Sequence, residues 1–236
     1  MPLDIGLLTF PNVQQLDLTA PYEVFAGVPG ARVHLVAAGL APVSSATGLL
    51  LAPTMRMADC PNLDVLCVPG GIGVNALMQD AAVLDFVRAQ AGHARYLTSV
   101  CTGALVLGAA GLLRGKRATT HWASLDLLAA FGAIPVAERV VRDGALFTGG
   151  GVTAGIDFAL VLAAELAGRR AAEAIQLGLE YAPAPPFEAG TPGTADPAVL
   201  AAVRTRLAGS RAERERIVRA ITGASGIVPW DAATPA

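Results

Sequence analysis

This sequence lacks an excess of charge of either sign. Its 236 residues carry 17 Lys and Arg against 19 Asp and Glu, a formal net charge of -2. A nucleic-acid footprint needs a basic stripe, which is missing, and there is no acidic or basic tail. Cysteine is scarce. Cys60, Cys67 and Cys101 form no CxxC and no even set, which excludes a disulfide framework and a zinc knuckle. Aromatic residues make up only 5%; the abundant alanine fits helices packed closely on a sheet. Apolar runs such as "ALVLGAAGLL" are too short to span a bilayer. The opening "MPLDIGLLTF" has neither the basic start nor the small-residue cleavage site of a secretory signal. A reducing cytoplasm is the expected setting, with no membrane and no nucleic acid as partner.

What is present is an alternation of short β-type runs with helical ones. "LDIGLLTF", "RVHLVAA", "LDVLCVPGG" and "RYLTSV" read as strands, the third apolar throughout, as expected where both faces are covered. "TAPYEVFAG" reads as a helix capped by Thr19 and stopped by Gly27. Asp80 caps "AAVLDFVRAQAG", and "TGALVLGAAGLL", "ASLDLLAAFG" and "TAGIDFALVLAAELAG" are further helices. "RVVRDGALFTGGG" reads as a hairpin turning at Asp143-Gly144. The alternation predicts an α/β fold, a mostly parallel sheet sandwiched by helices, with ligand sites at the carboxyl ends of the strands. Three loops fall there: 69–73, 100–103 and 148–151. None is a P-loop or a dinucleotide fingerprint. Residues 1–190 are expected to form one domain. A Pro/Gly/Ala-rich segment from Ala182 to Pro197 leads to a C-terminal helical extension, 191–236, with Arg and Glu interleaved as on a solvated or subunit-facing helix.

Cys101 stands where the run ending "TSV" meets a helix. Cysteine there is either a small core residue or a nucleophile on a strand-to-helix elbow. In the second case a strained turn lifts the side chain out of the sheet, and the helix N-terminus favours thiolate. Cys67, inside a strand, serves as an inert comparison, and Cys60 as a loop thiol. Of the histidines, His34 reads as a satisfied strand residue and His93 as a helix-end cation. His121 in "TTHW" is positioned to line the pocket, ahead of a catalytic role. Asp17 reads either as a helix cap or as a carboxyl group held beside a thiolate, where burial and like charge would raise its pKa.

"VQQLDLTAP", "PGGIGVNALMQD", "TSVCTGALVLGAAGLLRGKRATTHW", "TGGGVTAGIDFAL" and "LEYAPAPPF" resemble the isocyanide-hydrating members of the ThiJ/PfpI superfamily, over about residues 3 to 190. Cys followed by Thr102, with Asp at the early acidic position, sets the chain apart from relatives with a Cys–His elbow or an early Glu. The resemblance implies a flavodoxin-like fold of the class I glutamine amidotransferase-like kind, a homodimer, and no metal or organic cofactor. It implies hydration of an isocyanide to a formamide through a thioimidate on Cys101, with Asp17 and Thr102 as polar partners. In that chemistry Thr102 is expected to hold Asp17 or the water. Backbone donors are expected at Gly71 and Ile72 and from Gly150 to Val152, where "GGGVTAG" opens a helix.

Two other classes compete. A cysteine stress sensor or a deglycase- or glyoxalase-like enzyme would use the same thiol. An AraC-type regulator would need about 100 further residues for a DNA-binding domain, against the 46 that follow residue 190.

Overall fold

In the computed structural model, which describes residues 2–224, the apolar runs become strands of one sheet. In chain order the elements are β1 (Leu3–Leu8), α1 (Gln15–Ala26), β2 (Ala31–Ala37), β3 (Val43–Ser44), β4 (Leu50–Leu51), β5 (Met55–Arg56), a 3-10 turn (Met57–Asp59), β6 (Val65–Val68), α2 (Val74–Leu77), α3 (Ala81–Ala91), β7 (Tyr96–Val100) and α4 (Gly103–Ala109). They continue with β8 (Arg117–Ala118), a 3-10 helix (Trp122–Phe131), β9 (Ile134–Pro135), β10 (Val140–Asp143), β11 (Leu146–Gly149), α5 (Ala154–Ala167), α6 (Arg169–Gly178) and α7 (Pro197–Thr222). The seven-stranded sheet runs β10-β11-β7-β6-β1-β2-β5. Each pairing is parallel except that of β10 with β11, the expected hairpin. β6 lies near the middle and is buried along its whole length, which is why its sequence is apolar without alternation. α1, α5 and α6 pack together, as do α3, α4 and the 3-10 helix, and the two groups flank the sheet.

Several boundaries differ from the sequence expectation. α1 starts at Gln15, four residues before Thr19. Thr19 is therefore no cap; its hydroxyl donates to the Gln15 carbonyl at 3.0 Å. Asp17 falls inside the first turn, with its side chain fully buried. α4 stops at Ala109, and Gly111 follows at φ +81°. The "ASLDLLAAFG" helix is a 3-10 helix closed by Gly132 in the left-handed region. Asp80 caps α3 as expected, accepting from Ala82 and Val83. The C-terminal pattern is a single helix of 26 residues whose first turn is capped by Asp196; residues 225–236 lie outside the described chain. Its arginines are not all solvated, because Arg211 and Arg214 are buried against the domain.

One glycine fixes how near a helix comes to the sheet. A Cβ on Gly103 would lie 2.0 Å from the Val68 carbonyl oxygen and 2.8 Å from that of Pro69. Both neighbours are backbone at the end of β6, so relief requires α4 to move. Gly103→Ala is expected to cost at least about 3 kcal/mol, read as a shift in urea midpoint. An unchanged midpoint would show that α4 can step away from β6 freely.

Candidate active site

The carboxyl ends of β1, β6, β7 and β11 meet at one point, and the loop after each contributes to it. Cys101 sits between β7 and α4 with φ +54°, one of three non-glycine residues in the left-handed region among those described. A β-substituted residue is strained there by roughly 1–2 kcal/mol. Three bonds hold it in place. The Cys101 N–H donates to the carbonyls of Gly149 at 3.1 Å and Gly150 at 2.8 Å. The Thr120 hydroxyl donates to the Cys101 carbonyl at 2.6 Å. Cys101 thus stands between the end of β7 and the start of α4 and is 5% exposed.

Asp17 reaches the same point from α1. Its Oδ2 accepts from the Gly70 N–H at 3.0 Å. Its Oδ1 is buried with no hydrogen-bond partner, which is costly for a carboxylate and favours the protonated form. Burial pushes the Asp17 carboxyl up to about 7, against opposing effects of Cys101 and the Gly70 amide. The Cys101 thiol is also raised, first by burial and then by the Asp17 charge; the Thr102 N–H and the positive charge of Arg214 act the other way. The two groups are coupled: the Cys101 thiol eases ionisation of Asp17, whereas the Asp17 charge makes Cys101 harder to ionise. The amide at the helix N-terminus favours thiolate, as expected, but burial and the carboxyl outweigh it.

Thr102 does not hold Asp17. Its Oγ1 accepts from the Gly71 N–H at 3.0 Å and donates to the Gly71 carbonyl at 3.3 Å. It therefore fixes the loop whose preceding residue, Gly70, binds Asp17. That loop has no room for side chains: a Cβ on Gly70 would lie 2.7 Å from Thr102 Oγ1 and 2.8 Å from Asp17 Oδ2. Two expected backbone donors are likewise corrected. The Gly71 N–H is taken by Thr102, and the Gly150 N–H donates to the Arg139 carbonyl at 2.9 Å. The N–H groups of Ile72, Gly151 and Val152 have no acceptor among the described residues.

His121 caps the 3-10 helix, its Nδ1 accepting from the Ala123 N–H at 3.2 Å. Burial and the charge of Arg214 lower its pKa to about 4, so at neutral pH the ring is uncharged, with its proton on Nε2. Burial raises the other two thiols as well, Cys60 to about 11 and Cys67 to about 12. Among the described residues no group of three or more His, Cys, Asp and Glu side chains could hold a metal ion, and no helix is long and apolar enough to cross a membrane. A surface groove of about 320 Å³ between α1 and α5, lined by Leu16, Ala20, Ile156 and Tyr181, does not include Cys101. Sequence reasoning missed Gly70 as the amide that holds Asp17, and it missed Arg214. The available signal was spacing: Arg211, Arg214, Ile217 and Val218 recur at helical intervals on one buried face.

Comparison with known proteins adds the following. The model of the DJ-1/PfpI family matches residues 4–165. The isonitrile hydratase of Pseudomonas putida is 64% identical over 217 residues, covering 92% of this chain and 95% of its own. The crystal structure of a THiJ/PfpI family protein from Pseudomonas syringae superposes with a TM-score of 0.90 at 44% identity, over 92% of this chain and 91% of that one. Drosophila melanogaster DJ-1beta superposes with a TM-score of 0.69 at 25% identity, over 76% and 98%.

Proposed function

The chain belongs to the DJ-1/PfpI family, and from that premise we propose that it hydrates isocyanides, R–N≡C, to N-substituted formamides, with Cys101 as nucleophile and Asp17 as the group that moves protons. The observation that carries this reading is the 64% identity over nearly the whole chain to the Pseudomonas putida isonitrile hydratase. The site supports it, because it pairs a buried sulfur with a buried carboxyl whose pKa is about 7.

The terminal carbon of an isocyanide accepts a nucleophile and then needs a proton. The pair begins with one proton between its two members. With that proton on Asp17, the Cys101 thiolate attacks the carbon and the carboxyl protonates it, giving the thioimidate Cys–S–CH=N–R and an Asp17 carboxylate. Water then adds its oxygen to this carbon while its proton passes by way of Asp17 to nitrogen. Collapse breaks the C–S bond, the hydroxyl proton goes to Asp17, and the products are R–NH–CHO and the starting thiolate. Atoms and charge balance with thiol, carboxyl and water alone. A carboxyl with pKa near 7 suits both directions of transfer. Thr102 acts as a positioning residue through the Gly70–Gly71 loop. The N–H groups of Ile72, Gly151 and Val152 are the donors left for charge on the substrate. An isocyano group is a thin linear rod, which suits a sulfur that is only slightly exposed.

A homodimer, a cytoplasmic setting, and one α/β domain over 1–190 extended by α7 belong to the same reading. A cysteine redox sensor would use the same thiol, and turnover measured against sensitivity to peroxide separates the two readings. The deciding assay measures formamide release from a panel of alkyl and aryl isocyanides. Turnover with at least one is expected. A folded protein that releases none from any member would refute the reading, and turnover of a ketoaldehyde instead would replace it.

A further inference from the structure

α7 brings a charge to the thiol that has no counter-ion of its own. Arg214 is 7% exposed. Its Nε donates to Asn75 Oδ1 at 3.2 Å, Nη1 to Ser124 Oγ at 3.1 Å and Nη2 to Ser210 Oγ at 3.0 Å. All three acceptors are neutral. Arg211, one turn earlier on the same buried face, is built in the ordinary way: Asp126 holds it with two bonds, at 2.7 and 2.5 Å, and Glu215 with one at 2.8 Å. A buried guanidinium without a carboxylate is expensive unless an anion lies nearby. Its partners place Arg214 against the site: Asn75 lies on α2, just after the loop that Thr102 holds, and Ser124 lies four residues after Thr120, whose hydroxyl holds the Cys101 carbonyl; the charge of Arg214 favours ionisation of the Cys101 thiol.

We propose that Arg214 is a positioning residue, a cation held by Asn75, Ser124 and Ser210 whose counter-ion is the anion of the Cys101–Asp17 pair, and that it draws the shared proton away from sulfur. The other titratable groups around the pair do not supply this charge. Asp17, from α1, is the partner itself. Cys67, from β6, stays protonated, and His121, at the start of the 3-10 helix, stays neutral. Arg211 is neutralised by Asp126 and Glu215. The C-terminal helix is thereby part of the site, tied to α2 through Asn75 and to the 3-10 helix through Ser124.

The test reads the charge on sulfur and needs no isocyanide, so it stands or falls separately from the hydration reading. Iodoacetamide alkylation of Cys101 is followed against pH, with the adduct located by mass spectrometry so that Cys60 does not count. Two variants are compared with wild type. Arg214→Gln removes the charge. Asn75→Asp keeps the arginine and gives it the missing carboxylate. Both are expected to raise the midpoint by about one pH unit and to slow alkylation at pH 7 about tenfold, while Asn75→Asp melts no lower than wild type. A clamp with no electrostatic role predicts a loss of stability in Arg214→Gln alone, with both midpoints unmoved, and that result would overturn the proposal. A shift in Asn75→Asp beside a folded, unshifted Arg214→Gln would overturn it too, because the new carboxylate would then be acting by itself. Should Arg214→Gln fail to fold, Arg214→Lys, which keeps the charge, is compared with Asn75→Asp: a midpoint near wild type in the lysine variant beside a raised one in Asn75→Asp supports the proposal, and an unmoved midpoint in Asn75→Asp ends it.

Discussion

Cys101→Ser is expected to release no measurable formamide, a loss of about 10⁴-fold or more, with a melting curve close to that of wild type. The reason is chemical. A serine hydroxyl has no accessible anion at neutral pH, and neither Asp17 nor Arg214 can make one. The fold has little at stake, since the exchange alters one atom and leaves the backbone bonds of residue 101 to Gly149, Gly150 and Thr120 in place. The same experiment tests which thiol reacts. In a variant slowed at the hydrolytic step, mass spectrometry should find the substrate adduct on Cys101. An adduct on Cys60 or Cys67, whose thiols are held at about 11 and about 12, would move the site elsewhere. Residual turnover in Cys101→Ser comparable to wild type would remove the nucleophile from the scheme altogether.

Asp17→Asn is expected to lower turnover by 10²- to 10⁴-fold, the usual range for a lost general acid–base, and to change stability in a pH-dependent way. The folded carboxyl titrates at about 7, above its ordinary 3.8. Between those values the folded chain binds a proton that the unfolded chain does not. Stability therefore falls as pH rises from about 4 to about 7 and is level above that. Full burial makes this interval about 4 kcal/mol at most. An amide in place of the carboxyl escapes the penalty but leaves a buried N–H₂ facing the unpartnered Oδ1 position, which returns about 1–3 kcal/mol. The variant should thus be less stable than wild type at pH 4 and should gain on it up to about pH 7, with the difference level above that. Parallel stability curves across that range would mean that Asp17 ionises normally, and its assigned proton role would fail with them.

Much of the frame was legible in the sequence because it rests on local chemistry. The apolar β6 run, the Asp80 cap and the Asp143-Gly144 hairpin each carry their cause within a few residues. The cysteine corner was legible as well, since strand, Cys, Thr and Gly follow one another directly. What was not legible depends on approach in space. Thr19 resembled a cap because hydroxyl residues often are, yet α1 begins earlier, where Gln14 to Asp17 close the first turn. Gly71 and Gly150 resembled free donors because they lie in glycine-rich loops, but the partners that occupy their N–H groups, Thr102 and Arg139, come from other loops. Arg214 was hidden by its neighbours: interleaved Arg and Glu resemble a wet surface until the buried face of α7 is seen. The direction of the Cys101 shift followed the same pattern, as burial is a property of the whole fold and the helix end only of the next residue.

The two borders of the sheet carry a final consequence. One ends on β5, only two residues long. The other ends on β10, where Arg142 pairs with Glu165 and Asp143 is engaged by Lys116 and the Arg117 amide. β5 covers only Val36 and Ala37 of β2, and the stretch of β2 left open carries Arg32 and His34, both bonded to Asp4, so among the described residues each border is charged rather than bare. Crowded copies thus find no template along which to stack into fibrils, a safeguard against aggregation for a chain so rich in aliphatic residues.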